Sequence, residues 1–246
     1  MTLRARVVGV GDAFTTKYWN ACLLIESSDT RLLIDAPPAL ARALASLPAA
    51  SGPAVRIEDI DHVLVTHLHG DHCGGLEQLL FVRRFLVGRK ATVHALPEVL
   101  AGLWDGRLAG GMEVLLDADG KKHRLTLDDY ALLRPLTDPI VRVGDLEIEW
   151  RHTVHHIPTS AIRVRAGGRS LGYSADTLFD PSLVEWLSEA DLFFHETGLG
   201  IHTPLERLVS LEPSLRERMR LIHYPDSLDP SACVVSCARE GEVVEP

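Results

Sequence analysis

The sequence predicts an α/β fold in which two sheets pack face to face with helices on the outside. Three observations predict it. Short apolar runs with β-branched residues dominate each half of the chain, helical patterns fall between them, and the densest polar clusters lie where apolar runs end. At 246 residues, 46% hydrophobic and 24% charged, the chain can bury a sizeable core, which excludes intrinsic disorder and collagen-like repeats. It reads as one domain spanning 1–246.

The elements follow in order. Residues 4–10 and 21–26 are short apolar runs separated by a Gly-Asp turn, and 30–35 continues the pattern. Ser27, Ser28 and Asp29 supply turn chemistry, so 22–35 reads as an antiparallel hairpin ending in Asp35. A helix is expected over 38–47. After a small-residue linker at 49–53, an apolar strand at 61–66 terminates in His67-Leu68-His69-Gly70-Asp71-His72. Residues 76–85 then carry leucines and aromatics at helical spacing. A strand at 91–96 and a helix opened by Pro97 follow. Gly106, Gly110, Gly111 and Gly120, with a polar stretch at 117–124, weaken the pattern, so 104–138 reads as an inserted arm or hairpin. Beyond it come a strand pair at 140–150, a hairpin around Gly167-Gly168, a helix at 181–190 and a strand at 192–194. Helices at 205–209 and 214–219 lead to a last strand, 220–222, ending at His223.

Charge narrows the function classes. With 34 acidic against 25 basic side chains the net charge is −9, whereas wrapping nucleic acid needs Lys and Arg to displace phosphate counterions. No apolar run approaches the ~20 residues that span a bilayer, and no membrane partner is expected. The first residues, Met1-Thr2-Leu3-Arg4-Ala5-Arg6, lack a signal peptide's apolar stretch, so the expected compartment is the cytoplasm. Four cysteines without a C-x-x-C pair fit reduced thiols, and Cys233 and Cys237, at helical spacing, read as packing residues. Histidine is the anomaly: of twelve, most of those with close histidine neighbours fall at 62–72 and 152–156.

Within that anomaly, His67-x-His69-x-Asp71-His72 sets imidazoles and a carboxylate on one short loop, a donor set that suits Zn, Mn or Fe. Alternating side chains on an extended loop diverge, so one ion cannot easily take all four. Two neighbouring ions can, with His67 and His69 on one and Asp71 and His72 on the other, as in two-metal hydrolases.

The segment Thr66-His67-Leu68-His69-Gly70-Asp71-His72 resembles the H-x-H-x-D-H signature of the metallo-β-lactamase superfamily, in the form used by ribonuclease Z. Further segments resemble the superfamily in order. Asp35 matches an acidic residue that orients a ligand, and His155 matches the third histidine, with His156 as the alternative. Asp176, in Leu171-Gly172-Tyr173-Ser174-Ala175-Asp176-Thr177, matches a bridging aspartate, and Leu221-Ile222-His223 matches the final histidine. The resemblance covers about residues 4–225 and implies the four-layer αββα sandwich. It also implies two divalent ions, zinc first with Mn or Fe also suited. His67, His69 and His155 would hold one, Asp71, His72 and His223 the other, and Asp176 would bridge them. Gly70 stands where redox di-iron members carry a Glu ligand, so redox chemistry is not implied.

His195-Glu196-Thr197 and His202-Thr203 resemble two more ribonuclease Z segments, which implies His202 as proton donor and Glu196 as its orienting carboxylate. With Asp71 these are the expected catalytic residues. The implied activity is a metal-dependent phosphodiesterase: water shared by the ions, its pKa lowered toward ~7, attacks phosphorus, and His202 protonates the departing oxygen. An RNA 3′ end and a small phosphodiester such as a cyclic nucleotide are both open as substrates. Ribonuclease Z of the bacterial type grips tRNA with a protruding arm, yet 85–137 here has little cationic content beyond Arg107, Lys121, Lys122 and Arg124. Arg83, Arg84, Arg89 and Lys90 form a denser patch and read as a solvated face. The alternative activity is hydrolysis of a carboxylic ester, thioester or lactone, and a third reading is a non-catalytic metal-binding module. A homodimer through the apolar helix 76–85 is compatible with the sequence and not required by it.

Overall fold

The computed structural model describes residues 3–246. The first half runs β1 (Arg4–Gly9), β2 (Cys22–Glu26), β3 (Arg31–Ile34), α1 (Leu40–Ala45), β4 (His62–Leu64), α2 (Gly70–Cys73), α3 (Leu76–Phe81), β5 (Ala91–Ala95) and α4 (Pro97–Leu103). Next come α5 (Ala109–Met112), β6 (Val114–Leu116), β7 (Lys122–Arg124), α6 (Leu127–Tyr130) and β8 (Ala131–Pro135). The second half runs β9 (Ile140–Val143), β10 (Leu146–His152), β11 (Ser160–Ala166), β12 (Arg169–Tyr173), α7 (Pro181–Leu187) and β13 (Leu192–Glu196). It closes with α8 (Leu205–Val209), α9 (Pro213–Glu217), β14 (Met219–Ile222) and β15 (Val243–Val244).

Seven strands form one sheet in the order β15-β1-β2-β3-β4-β5-β8, and six form the other in the order β14-β13-β12-β11-β10-β9. Antiparallel hairpins give way to parallel strands at β3/β4/β5/β8 in the first sheet and at β12/β13/β14 in the second. Leu24, Leu33 and Val63 of the first sheet share one continuous apolar core with Ile148, Ile162 and Phe193 of the second. This is the αββα sandwich of the metallo-β-lactamase fold.

Local chemistry explains the borders. The β11–β12 turn is Gly167-Gly168 with φ of 58° and 79°, the left-handed pair that a two-residue hairpin requires. Asp180 caps α7 by accepting the Ser182 N–H, with Pro181 in the first turn. After the histidine loop the chain must pass against the segment following β3. A Cβ on Gly75 would lie 2.1 Å from the Pro37 carbonyl oxygen, so only glycine fits there.

The structure differs from the sequence reading in several places. The helix expected over 76–85 stays α-helical only to Phe81 and continues as a wider turn, Val82–Val87, closed by Gly88 at φ 75°. Its Leu76, Leu79 and Leu80 are buried in the core, leaving Phe85 and Leu86 exposed. Of the expected arm 104–138, only the β6–β7 ribbon forms a separate sheet; β8 joins the edge of the large sheet, parallel to β5. The Cys233–Cys237 region is not helical. It pairs instead beside β14, where the Leu221 N–H donates to the Ser236 carbonyl at 2.8 Å and Ala238 N–H to the Leu221 carbonyl at 2.9 Å. Arg83, read as part of a solvated face, is buried: it donates to the Glu58 carbonyl at 2.6 Å and pairs with Asp61. Arg84 stacks over Tyr130, and Lys90 donates to the Asp128 carbonyl, so most of that patch is committed internally. Among the described residues no helix is long and apolar enough to cross a membrane.

Candidate metal centre

All the candidate side chains arrive at one edge of the sandwich. Asp35 follows β3, the 67–72 loop follows β4, and His155 lies between β10 and β11. Asp176 follows β12, Glu196 ends β13, and His223 follows β14. Parallel strands end on the same side, so the C-terminal ends of β3 and β4 and of β12, β13 and β14 deliver polar groups to one place. Among the described residues, three of the four non-glycine positions with left-handed backbone lie here: Asp35 (φ 65°), Ala175 (φ 49°) and His223 (φ 53°). Such conformations persist only where the surroundings over-determine them, and they gather at functional sites.

Two groups of donor atoms face each other across Asp176. On one side, His67 Nε2 lies 3.0 Å from His69 Nδ1 and 3.6 Å from Asp176 Oδ2, and His155 Nε2 lies 3.3 Å from His69 Nδ1 and 3.9 Å from Asp176 Oδ2. On the other, His72 Nε2 lies 3.2 Å from both Asp71 Oδ2 and Asp176 Oδ1. His223 Nε2 completes that side, 3.2 Å from Asp71 Oδ2 and 3.6 Å from Asp176 Oδ1. Each oxygen of Asp176 therefore addresses a different group. Donors about 2.0–2.2 Å from one tetrahedral ion stand about 3.3–3.6 Å apart, the range about which the spacings of both sets, 3.0–3.9 Å and 3.2–3.6 Å, are spread. His72 Nε2 and Asp176 Oδ1 are buried without a hydrogen-bond partner, a state that coordination would resolve. The residues fit divalent metal.

The partners of the outer nitrogens fix how the rings are turned. His72 Nδ1–H donates to Asp35 Oδ2 at 2.8 Å, and His67 Nδ1–H to Thr66 Oγ1 at 3.0 Å, so Nε2 is the nitrogen each ring turns into the cluster. Asp35 is held in turn by the Thr66 N–H at 2.8 Å and by the Thr66 hydroxyl. His155 directs Nε2 into the group, whereas His156 lies outside it, with its Nε2 2.9 Å from His69 Nε2.

The electrostatics call for cations. Burial works against the charged forms of Asp71 and Asp176, but neighbouring histidines outweigh it and hold both carboxyls far below the usual carboxylate range. Burial also opposes charge on His223, yet Asp176 and Asp71 push it up to about 9. His72 rises for the same reason, burial being overcome by Asp176 and Asp35. Protons on these imidazoles stand in for the positive charge that metal would bring.

Beside this cluster, His202 Nδ1 lies 3.2 Å from Glu196 Oε1 and 3.9 Å from Asp176 Oδ2. Glu196 is fully buried; its Oε1 also accepts the Thr177 N–H at 2.9 Å and the Thr203 N–H at 3.3 Å. Burial disfavours charge on His202, but Glu196 outweighs it and raises the imidazole's pKa. His195 stays outside the cluster. Its Nδ1–H donates to the Glu196 carbonyl at 2.7 Å, and burial lowers it to about 4, so it is neutral packing. The sequence reading missed the hydroxyls that hold this layer, Thr66 and Ser174, the latter accepting the Glu196 N–H at 2.9 Å. Only their adjacency to ligands could have signalled them.

The family model described as anti-Pycsar protein Apyc1 matches residues 3–242. Anti-Pycsar protein Apyc1 of Paenibacillus sp. (strain J14) is 35% identical over 237 residues, covering 93% of this chain and 92% of that protein. Among solved structures, the metallo-β-lactamase fold protein YhfI from Bacillus subtilis superposes over 100% of both chains with TM-score 0.79 at 18% identity. Human tRNase Z, short form, superposes over 98% of each with TM-score 0.68 at 16% identity. The structural likenesses agree with the sandwich and the family match covers nearly the whole chain: it is a metal-dependent hydrolase of the metallo-β-lactamase fold and belongs to the anti-Pycsar protein Apyc1 family.

Proposed function

We propose that the chain is a two-metal phosphodiesterase that opens the phosphodiester ring of a cyclic nucleotide. One observation carries the reading: a histidine held by a buried carboxylate, His202 on Glu196, stands 3.9 Å from the carboxylate that faces both donor groups. A ribose alkoxide is a poor leaving group and needs a proton, which is what such a histidine can supply. The family's name marks its members as acting against Pycsar, and hydrolysing a cyclic nucleotide is the form of that activity this site supports best.

His67, His69 and His155 would hold one ion, and Asp71, His72 and His223 the other, with Asp176 shared; zinc suits both donor sets. The chemistry such a pair of cations would supply is a bound water acidified toward pKa ~7 and neutralisation of charge on the phosphoryl oxygens. The chain's own residues do the rest. Asp35 and Thr66 engage Nδ1 of His72 and His67 and so turn each Nε2 toward the place an ion would take, and Asp176 would set the spacing of the two groups. His202, whose side chain is 17% exposed, is within reach of a substrate; with Nδ1 on Glu196, its Nε2–H gives a proton to the departing ribose oxygen. Glu196 balances the charge that His202 carries before transfer.

The protruding ribbon supports a small substrate over RNA. Residues 104–138 carry seven acidic against five cationic side chains, and within them Arg124 pairs with Glu113 and His123 with Asp117. Gripping a phosphate backbone needs the opposite balance. A thioester would release a thiolate, a more stable leaving group than a ribose alkoxide, and would have less need of the His202–Glu196 pair.

The test is metal analysis of protein purified without chelators, with turnover measured on 3′,5′-cyclic nucleotides, bis-p-nitrophenyl phosphate, a p-nitrophenyl carboxylic ester and a precursor tRNA. Cyclic nucleotide opening at two metals per chain is the expected result. Cleavage confined to tRNA, or to the carboxylic ester, would overturn the proposal.

A further inference from the structure

We infer that His156 is the positioning residue of His69, holding that ring by its outer nitrogen so that Nδ1 faces the candidate metal group. The inference rests on the metal-centre reading above. It starts from a difference among the outer nitrogens. His72 is held from behind by the buried Asp35 carboxylate, and His67 by the buried Thr66 hydroxyl. His155 Nδ1 and His223 Nδ1 are buried with no partner. His69 alone turns its outer nitrogen to an exposed side chain, His156, at 2.9 Å between the two Nε2 atoms.

The tautomers follow from the geometry. His69 Nδ1 points at His67 Nε2 (3.0 Å) and His155 Nε2 (3.3 Å), the convergence a shared ion would need, so its proton belongs on Nε2. His69 Nε2–H then donates, and His156 Nε2 accepts. Such partners behind a metal-bound imidazole fix its ring orientation and raise its basicity, and losing one typically costs about 10- to 100-fold in metal affinity. The His156 ring also lies 4.6 Å from the His69 ring and 4.4 Å from the His155 ring, centroid to centroid. Two successive residues thus do different work: His155 is offered to the ion, and His156 locks a ligand contributed by a loop 87 residues earlier in the chain. A sequence with two adjacent histidines reads as one ligand and a spare, and the structure gives the spare a task.

The experiment measures zinc affinity of the full-length protein by chelator competition, together with the visible spectrum after cobalt(II) substitution. His156→Ala and His156→Phe, the second keeping an aromatic ring without an acceptor, are expected to weaken one of the two ions by about 10- to 100-fold and alter the cobalt bands. His156→Gln, whose amide oxygen can accept near the position of the imidazole Nε2, should recover most of the affinity. His67→Ala is the control for the metal centre itself. If His67→Ala releases metal while His156→Ala and His156→Phe bind both ions as tightly as wild type with unchanged spectra, the inference fails and the metal-centre reading stands. If His156→Phe alone retains wild-type affinity, ring packing rather than the hydrogen bond is responsible, and the inference also fails. A wild-type protein that binds no zinc or cobalt would overturn both.

Discussion

Glu196 and His202 form a pair in which the carboxylate is wholly inside the protein and the imidazole reaches the solvent edge, joined at 3.2 Å between Oε1 and Nδ1. If His202 is the proton donor, His202→Ala should lower kcat on a cyclic nucleotide by about 10²- to 10⁴-fold. The loss should be far smaller on bis-p-nitrophenyl phosphate, whose nitrophenolate leaves unaided. Equal losses on the two substrates would remove His202 from the chemistry.

The same pair sets an alkaline limit. A general acid must be protonated, so kcat falls as pH rises through the His202 pKa, which Glu196 holds above its ordinary value against the effect of burial. Glu196→Gln removes the negative charge and should move that limb to lower pH while KM changes little. A pH–kcat profile identical to wild type would contradict the assignment.

Asp71 Oδ2 stands 3.2 Å from both His72 Nε2 and His223 Nε2. Asp71→Ala should therefore lose one ion of two by elemental analysis, together with most of the phosphodiester turnover. A variant with two metals per chain and full turnover would refute the ligand scheme.

Far from this site, Glu26 is buried beneath Arg4, Arg6 and Arg31, with Arg6 itself inaccessible. Burial raises the carboxyl's pKa, but the three guanidiniums outweigh it and lower it below 4.5. A depressed carboxyl stabilises the fold above its unfolded pKa and loses that contribution as pH falls through the folded one. Glu26→Ala leaves the Arg6 charge buried and unpaired and should cost about 3–5 kcal/mol at neutral pH by denaturant unfolding. On acidification below about pH 4.5, the gap between wild type and variant should narrow.

The β6–β7 ribbon is held at its base by the Leu125 N–H to Glu113 carbonyl bond at 2.8 Å, so its ends are adjacent. Replacing residues 114–124 by a short glycine–serine turn should leave cyclic-nucleotide turnover unchanged. Loss of turnover, with the fold intact by circular dichroism, would assign the ribbon a part in substrate binding.

Much of the site was legible because its residues sit in short contiguous motifs at strand ends, where local pattern and chemistry coincide. His67, His69, Asp71 and His72 lie on one loop, and the resemblance to the superfamily implied His155, Asp176 and His223 as their companions. What the sequence left open was decided by contacts between distant segments. Nothing local separates His155 from His156; the separation comes from which ring meets His69 across the sandwich. Arg83 reads as surface because its partners, Asp61 and the Glu58 carbonyl, precede it by more than twenty residues. β15 escaped notice because a two-residue strand exists only through its pairing with β1. The non-helical Cys233–Cys237 stretch likewise follows from its partner, β14, and not from its spacing.

The left-handed backbone at Asp35, Ala175 and His223 has a consequence for the balance between endurance and work. An L-residue held in that conformation costs roughly 1–2 kcal/mol, so the folded state gives up stability at three points to aim its donors. Glycine at position 175 would relax one of them. Ala175→Gly should leave the melting temperature level or raise it while loosening Asp176 and slowing turnover, which would make the wild-type chain one that trades durability for a rigid array of donors.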